Sequence, residues 1–293
     1  MTYAAVVARA AATLVAAGFA REDAEADAAV LARHILGWDL AQWLSHHRDR
    51  APATFGTALE AAIARRATRE PIAYIIGERE FYGRAFLVSP AVLIPRPETE
   101  IVVDESLRIL KTGAGHALHL IDVGTGSGCL AITLALELPG ARVVATDLSA
   151  AALDVARHNA RRLGVADRVE FRHGAFFADA AGPFDLVVSN PPYVAEADRA
   201  SIMADVVDFE PSMALFSGPQ GLSCIRDLVH LAPARLKPEG ALIFEFGFGQ
   251  KAAVEALLSA PAWRLIDIRD DLQGIPRVAI AQPSSSSRSS VRE

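Results

Sequence analysis

Cysteine is nearly absent, with two residues in 293, Cys129 and Cys224, each inside an apolar segment. Neither a disulfide framework nor zinc-ligand spacing can be built from them, so a reducing cytoplasm is the expected setting. The eight histidines are scattered and meet no cysteine or acid at ligand spacing, so no metal site is expected, and His46-His47 reads as a solvated helix end. No uninterrupted apolar run is long enough to cross a bilayer. Met1-Thr2-Tyr3-Ala4 lacks the basic start and cleavage site of a secretory signal, and no membrane association is expected. An excess of positive charge is also missing: 29 basic against 35 acidic residues leave a net charge of −6. Sequence-independent nucleic-acid binding needs a basic surface to displace counterions, so no stable nucleic-acid binding is expected. Arg65-Arg66-Ala67-Thr68-Arg69 and Arg157, Arg161 and Arg162 remain as local basic patches or, on the plainer reading, solvated helix faces. No Gly-x4-Gly-Lys-Ser/Thr phosphate loop occurs, which argues against an ATPase.

What is present is a globular composition, 52% hydrophobic and 22% charged, arranged in blocks. Residues 1–70 are Ala-rich and predict a small helical domain for partner recognition. Its helices are Thr2–Ala17 closed by Gly18, Glu22–Leu36 stopping near Gly37, a short one opened by Asp39 with Gln42, and a fourth capped by Thr54. Residues 71–95 change pattern. Tyr74-Ile75-Ile76-Gly77, Glu80-Phe81-Tyr82-Gly83 and Ala85-Phe86-Leu87-Val88, broken by glycines, predict a β-hairpin linker. Pro95-Arg96-Pro97-Glu98 then starts a helix that ends by Gly113, with Arg96 and Glu98 read either as a capped helix start or as a wall of an active site.

From Leu118 strands and helices alternate, the mark of a mostly parallel α/β sheet over residues 96–281. The strands are expected at Leu118–Val123, Arg142–Thr146, Arg168–Arg172, Phe184–Ser189, Gly240–Phe246, Arg264–Arg269 and Arg277–Ala281. The helices are expected at Cys129–Glu137, Ala150–Leu163, Gly221–Leu236 and Gln250–Ala260. The Ser-rich stretch 282–293 reads as a disordered tail.

Two strand ends carry chemistry. The first runs into Asp122-Val123-Gly124-Thr125-Gly126-Ser127-Gly128, where glycines let the backbone turn and approach a ligand. Asp147, ending the next strand, can accept both hydroxyls of a ribose. Together they predict an adenosine-containing cofactor, although an ordinary glycine-rich turn has the same local form. A dinucleotide fingerprint counted from Gly124 fails at Cys129, while counted from Gly126 it ends at the tolerated Ala131. The second is Ser189-Asn190-Pro191-Pro192-Tyr193. Two prolines stop any ladder and offer only carbonyls, Asn190 offers one acceptor and two donors, and Tyr193 offers a flat face. Such a loop suits a planar group bearing NH2; a rigid turn after a core strand is the plain alternative.

The G-x-G-x-G spacing behind an acid resembles the class I S-adenosylmethionine-dependent methyltransferases, with their Rossmann-like sheet. In those enzymes N/D/S-P-P-Y/F at the tip of the fourth strand marks methylation of planar nitrogens, adenine N6 or a glutamine amide. Glu70-Pro71 through Gly77, Leu93-Ile94-Pro95-Arg96-Pro97-Glu98-Thr99-Glu100, and Glu210-Pro211 with Ala214-Leu215 follow in order. With them, residues 20–281 resemble the protein-(glutamine-N5) methyltransferases (HemK/PrmC family) that modify class I peptide chain release factors. The resemblance implies transfer of the methyl group of S-adenosyl-L-methionine, leaving S-adenosyl-L-homocysteine, to N5 of the glutamine in the GGQ motif of a release factor. It implies that Asp122, Gly124, Thr125, Gly126, Ser127, Gly128, Asp147 and Phe176 hold the cofactor, with Asn190 close to it. Asn190, Pro191, Pro192 and Tyr193 would hold the substrate glutamine, with Asn190, Pro191 and Tyr193 carrying the transfer. Ala175 departs from the family's usual acid beside the adenine. The alternative expectation is a methyltransferase acting on an exocyclic amine of a DNA or RNA base, which is also a planar NH2.

Overall fold

In the computed structural model, which describes residues 1–110 and 117–284, two compact units emerge. One comprises Met1–Glu78 together with Met203–Phe209, and the other comprises the remainder. The helical unit therefore reaches beyond residue 70 and takes in a segment more than 120 residues away in sequence. Its helices are Tyr3–Ala16, Arg21–Leu36, Leu40–His46, Ala53–Ala67, Ile72–Ile76 and the short Ala204–Val207, with a core that includes Leu14, Leu31 and Leu59.

Local chemistry sets the ends of several. The Thr2 side chain accepts from Ala5 N, and Gly37 closes the second helix in the left-handed region at φ 64°. Asp39 and Gln42 form the reciprocal cap expected of them. Thr54 does not cap: the cap is Pro52, two residues earlier, and Thr54 lies within the first turn of the fourth helix. Tyr74-Ile75-Ile76 is a short helix rather than a strand. Pro71 precedes it, Gly77 ends it at φ 83°, and Ile72, Ile75 and Ile76 turn onto the helical core, which overrides their β propensity.

The arginine cluster after residue 64 is not an open basic patch. Arg66 is buried; its Nε donates to Asp27 (2.7 Å) and its Nη1 to Asp205 (2.6 Å), which binds the Met203–Phe209 segment into this unit. Arg65 pairs with Glu70, and Arg69 lies over the Phe19 ring at 3.9 Å. A buried guanidinium with two carboxylate partners is compensated; losing the guanidinium would leave both carboxylates without their shared counter-charge.

The second unit begins at Arg79, within a hairpin of β1 (Glu78–Phe81) and β2 (Arg84–Leu87). Its two-residue turn, Tyr82 (φ 51°) and Gly83 (φ 70°), has the mirror-image geometry that suits twisted strands. Glu100 accepts from Tyr82 N at 2.7 Å and fastens this turn to the helix Glu100–Leu110. The expected end of that helix, Gly113, lies outside the described residues.

A seven-stranded sheet follows, built of β3 (His119–Val123), β4 (Arg142–Asp147), β5 (Val169–His173), β6 (Phe184–Ser189), β7 (Leu236–Glu245), β8 (Trp263–Asp270) and β9 (Pro276–Pro283). The spatial order is β5-β4-β3-β6-β7-β9-β8; β3 to β7 run parallel and β9 lies antiparallel to both β7 and β8. Successive residues serve opposite faces. Leu120, Val143, Leu186 and Ile243 pack in one core, and Ile121, Val144, Val187 and Leu242 in the other. Each such side chain contributes about 1.5–3 kcal/mol on burial.

The helix expected at Gly221–Leu236 is shorter, Ser223–Leu231. Pro233 cannot donate to an α ladder, and the chain passes through a 3₁₀ turn at Ala232–Arg235 before β7 starts at Leu236, ahead of the expected Gly240. Gln282 and Pro283, expected in the tail, complete β9; residues 285–293 lie outside the described residues. Among the described residues no helix is long and apolar enough to cross a membrane.

From β3 the strand order runs outward in one direction through β4 and β5, and in the other through β6 and β7. A crevice opens beyond the carboxyl ends of the strands where the order reverses, and sheets of this kind bind ligands there.

Candidate active site

The glycine turn after β3 is shaped by backbone needs. Gly124, Gly126 and Gly128 have φ of 74°, 54° and 84°, which a side chain disfavours. Beyond that they differ. A Cβ on Gly128 would stand 2.7 Å from Ile132 Cδ1 and 3.1 Å from Ala156 Cβ, so Gly128 serves the packing of the helix Cys129–Glu137. At Gly124 and Gly126 a Cβ would meet no protein atom within 4 Å, because these two face open space.

One cavity at the reversal point is lined by Asp122, Gly124, Thr125, Gly126, Ser127, Asp147, Phe176, Asn190, Pro191 and Pro192, along with Pro95 and Thr99. The structure thus brings together most of the residues singled out from sequence. Gly128 stands behind the wall, and Tyr193 is not part of the lining. Arg96 is not in the wall either: it donates to Glu210 Oε1 at 2.5 Å, while Glu210 Oε2 accepts from Ile94 N at 3.0 Å. That buried glutamate holds the Ile94–Arg96 stretch in place, so that Pro95 and Thr99 face the cavity. Glu98 is half-buried and outside the lining.

Asp122 is fully buried. Its Oδ2 accepts from Thr125 Oγ1 (2.6 Å) and Ala131 N (3.1 Å), whereas Oδ1 has no partner. Burial pushes its carboxyl from the ordinary 3.8 up to about 7, against the two hydrogen bonds that favour the anion. Asp147 accepts from Gly126 N through Oδ2 (2.9 Å) and from Ser149 N through Oδ1 (2.8 Å). A carboxylate has about four lone-pair sites, so each oxygen can still accept. Phe176 lines the cavity with φ 47°, its carbonyl accepting from Thr146 Oγ1 at 2.5 Å. Gly174 and Phe176 are in the wall and Ala175 between them is not. Cys129 also lines the cavity, but burial pushes its thiol up to about 12, which makes it a neutral wall.

At the tip of β6, Ser189 Oγ donates to Val123 O (2.7 Å) and ties this strand end to that of β3. Asn190 Nδ2 donates to Thr99 Oγ1 (2.9 Å), leaving Oδ1 buried and without a partner. The Tyr193 hydroxyl donates to Glu245 Oε1 (2.9 Å), and Thr99 Oγ1 donates to Glu245 Oε2 (2.6 Å). Glu245 is 1% exposed, and burial raises its carboxyl above the ordinary range. The Tyr193 phenol is raised as well, by burial and by the neighbouring Glu245.

Behind the tip, Gln250 Nε2 donates to Tyr193 O (2.9 Å) while its Oε1 accepts from Gly247 N (2.8 Å). A Cβ on Gly221 would lie 2.1 Å from Tyr193 O, so only glycine admits the tip there. Sequence reasoning missed Glu245 and Gln250 and assigned no role to Thr99. The available signal for Glu245 was a lone acid in the apolar run Leu242-Ile243-Phe244-Glu245-Phe246, where an unpaired charge would not survive burial.

S-adenosylmethionine, the cofactor implied by the resemblance, fits these residues. The orphaned Asp122 Oδ1 suits a cationic methionine end, Gly124 and Gly126 leave room against the backbone, Asp147 keeps acceptors for a ribose, and Phe176 offers a ring face.

Comparison with known proteins agrees with this architecture. Residues 5–77 match the family described as PrmC N-terminal domain, and residues 103–212 match Methyltransferase small domain. A release factor glutamine methyltransferase of Cereibacter sphaeroides is 41% identical over 269 residues, covering 92% of this chain and 94% of its own. One from Nitratidesulfovibrio vulgaris is 44% identical over 75% of each chain. Among solved structures, the hMettl16 catalytic domain in complex with MAT2A 3′UTR hairpin 1 superposes with a TM-score of 0.57 at 18% identity. It covers 77% of this chain and 82% of that one, a likeness of fold. With relatives this similar along nearly its whole length, the chain is a methyltransferase and belongs to the release factor glutamine methyltransferase family.

Proposed function

We propose that this protein methylates the side-chain amide nitrogen, N5, of the glutamine in the GGQ motif of class I peptide chain release factors, acting in the cytoplasm. S-adenosylmethionine is the methyl donor, and when bound it supplies a methyl group activated by a sulfonium. The observation that carries the substrate reading is the β6 tip. Asn190 Oδ1 is a buried acceptor without a partner, beside two prolines that have carbonyls and no N–H.

An amide nitrogen is a weak nucleophile because its lone pair is shared with the carbonyl. In this reading Asn190 Oδ1 and the Pro191 carbonyl each accept one N–H of the substrate amide. They aim its nitrogen and stabilise the positive charge that develops there as the lone pair is drawn out of conjugation. Positioning for in-line transfer supplies most of the remainder. S-adenosylmethionine, held by Asp122, Gly124, Gly126, Asp147 and Phe176, would supply the methyl group for the new C–N bond, and one amide proton would leave to solvent. The ring of Tyr193, held by its hydroxyl on Glu245, backs the tip that receives the amide. The helical unit, residues 1–70 by the sequence division, serves recognition of the release factor.

The test is label transfer from S-adenosylmethionine to four acceptors: unmethylated release factor, the same factor with its GGQ glutamine changed to alanine, DNA and RNA. Label on the first alone is expected. Label on nucleic acid alone would replace this reading with methylation of an exocyclic base amine.

A further inference from the structure

An asparagine side chain can present either its oxygen or its NH2 to a ligand, and the two are nearly the same shape. At Asn190 the choice is made by Thr99, in the cavity wall, and by Glu245 behind it, outside the lining. Thr99 has one hydroxyl proton, and it goes to Glu245 Oε2 at 2.6 Å. Toward Asn190, therefore, Thr99 can only accept, and it does so from Nδ2 at 2.9 Å. That leaves Oδ1 as the atom without a partner. The other oxygen of Glu245 is held by the Tyr193 hydroxyl at 2.9 Å, so the carboxylate is pinned from both sides. An ionised carboxylate accepts and never donates, which gives the whole chain of bonds a single direction.

We propose that Glu245 is a positioning residue that acts through Thr99 to fix Asn190 with its oxygen toward the substrate, so that the site selects a planar NH2 donor. This rests on the reading of Asn190 as the acceptor for the substrate amide. A protonated Glu245 can donate to Thr99. The Thr99 hydroxyl is then released to donate to Asn190, the amide turns over, and the tip presents NH2 to a substrate that is itself a donor. The ionised form is thus the active one.

The groups facing Glu245 are the Thr99 and Tyr193 hydroxyls, Glu98, which raises its affinity for a proton, and Arg277, which lowers it. Cys129 is close by as a neutral thiol. With burial as the largest influence, proton uptake falls above the ordinary carboxylate range, where it can be measured on a folded protein.

The experiment uses the full chain, unmethylated release factor and saturating S-adenosylmethionine, so that titration of Asp122 at the cofactor end does not enter kcat. In the wild type kcat should fall on the acid side as Glu245 takes up its proton. Glu245→Gln should be slower and lose that acid limb. Thr99→Val should lower kcat by about 30-fold with KM for the cofactor changed less than about twofold, and Thr99→Ser should recover to within about threefold of wild type. A merely structural role predicts instead that melting temperature and activity fall together and that Glu245→Gln keeps the wild-type limb. That outcome, or a folded Thr99→Val with wild-type kcat, overturns the inference while the release factor is still labelled. Failure of the wild type to label the release factor overturns the substrate reading and this inference with it. If Thr99→Val does not fold, the pH profile of Glu245→Gln decides alone.

Discussion

Asp122 and Glu245 are both buried carboxylates, Asp122 next to last in β3 and Glu245 last in β7 of one sheet with β6 between the two strands, and they have opposite surroundings. Asp122 has one oxygen satisfied and one buried without a partner, and burial raises its carboxyl to about 7. Glu245 has both oxygens occupied by hydroxyls. The difference separates two uses of buried charge. An unsatisfied carboxylate is held ready for a ligand of opposite charge, whereas a satisfied one orders the groups around it.

The strongest test of that contrast is at the atom Glu245 is inferred to orient. Asn190→Ala should lower kcat by about 10³-fold, in the range for removal of a donor or acceptor at a reacting centre, while S-adenosylhomocysteine binds within about threefold of wild type by calorimetry. Parallel loss of both would show that Asn190 belongs to the cofactor end.

Next in size is Tyr193. Alanine should cost about 10²-fold in kcat, because ring and hydroxyl are both lost, and phenylalanine about 10-fold, because only the bond to Glu245 is lost. The reverse order in a steady-state assay would remove the ring from the argument.

Asp122→Asn should weaken S-adenosylmethionine binding by about 10-fold at pH 8, equivalent to ~1.4 kcal/mol, and remove a loss of affinity that the wild type shows below pH 7. Stability should move the other way. A carboxyl raised on folding lends relative stability at low pH that is lost as pH climbs from its ordinary value toward about 7. The ligand-free variant should therefore melt higher than wild type at pH 8, by on the order of 3 kcal/mol, and about equally at pH 4. A variant less stable at pH 8 would mean that Asp122 is a satisfied group like Glu245.

A further comparison separates glycines within one turn. Gly128→Ala should cost about 2–3 kcal/mol of stability from its clash with Ile132 and its positive φ. Gly124→Ala should cost about 1–2 kcal/mol, from φ alone, yet impair cofactor binding more. Melting curves and calorimetry on the two variants would expose a mistaken assignment as a swap.

Much of this was legible before any coordinates. The glycine turn, the Asp39–Gln42 cap and the proline-stopped Asn190–Tyr193 tip follow from properties of residues adjacent in sequence. Tyr74-Ile75-Ile76 was misread because β-branched propensity is weak beside the pull of a helical core. Arg66 was misread because one partner, Asp205, lies 139 residues away.

The sequence by itself determined where the backbone must turn, which strand ends carry glycine, proline or acid, and through these the fold class and family, since such features depend on φ and on missing N–H groups. Only the tertiary structure decided what those ends face. Thr99 meets Glu245 across 146 residues and Asn190 across 91, and the direction of hydrogen bonding exists only once all three are in contact. A hydroxyl donates or accepts according to its neighbours, and its neighbours here are assembled by the sheet.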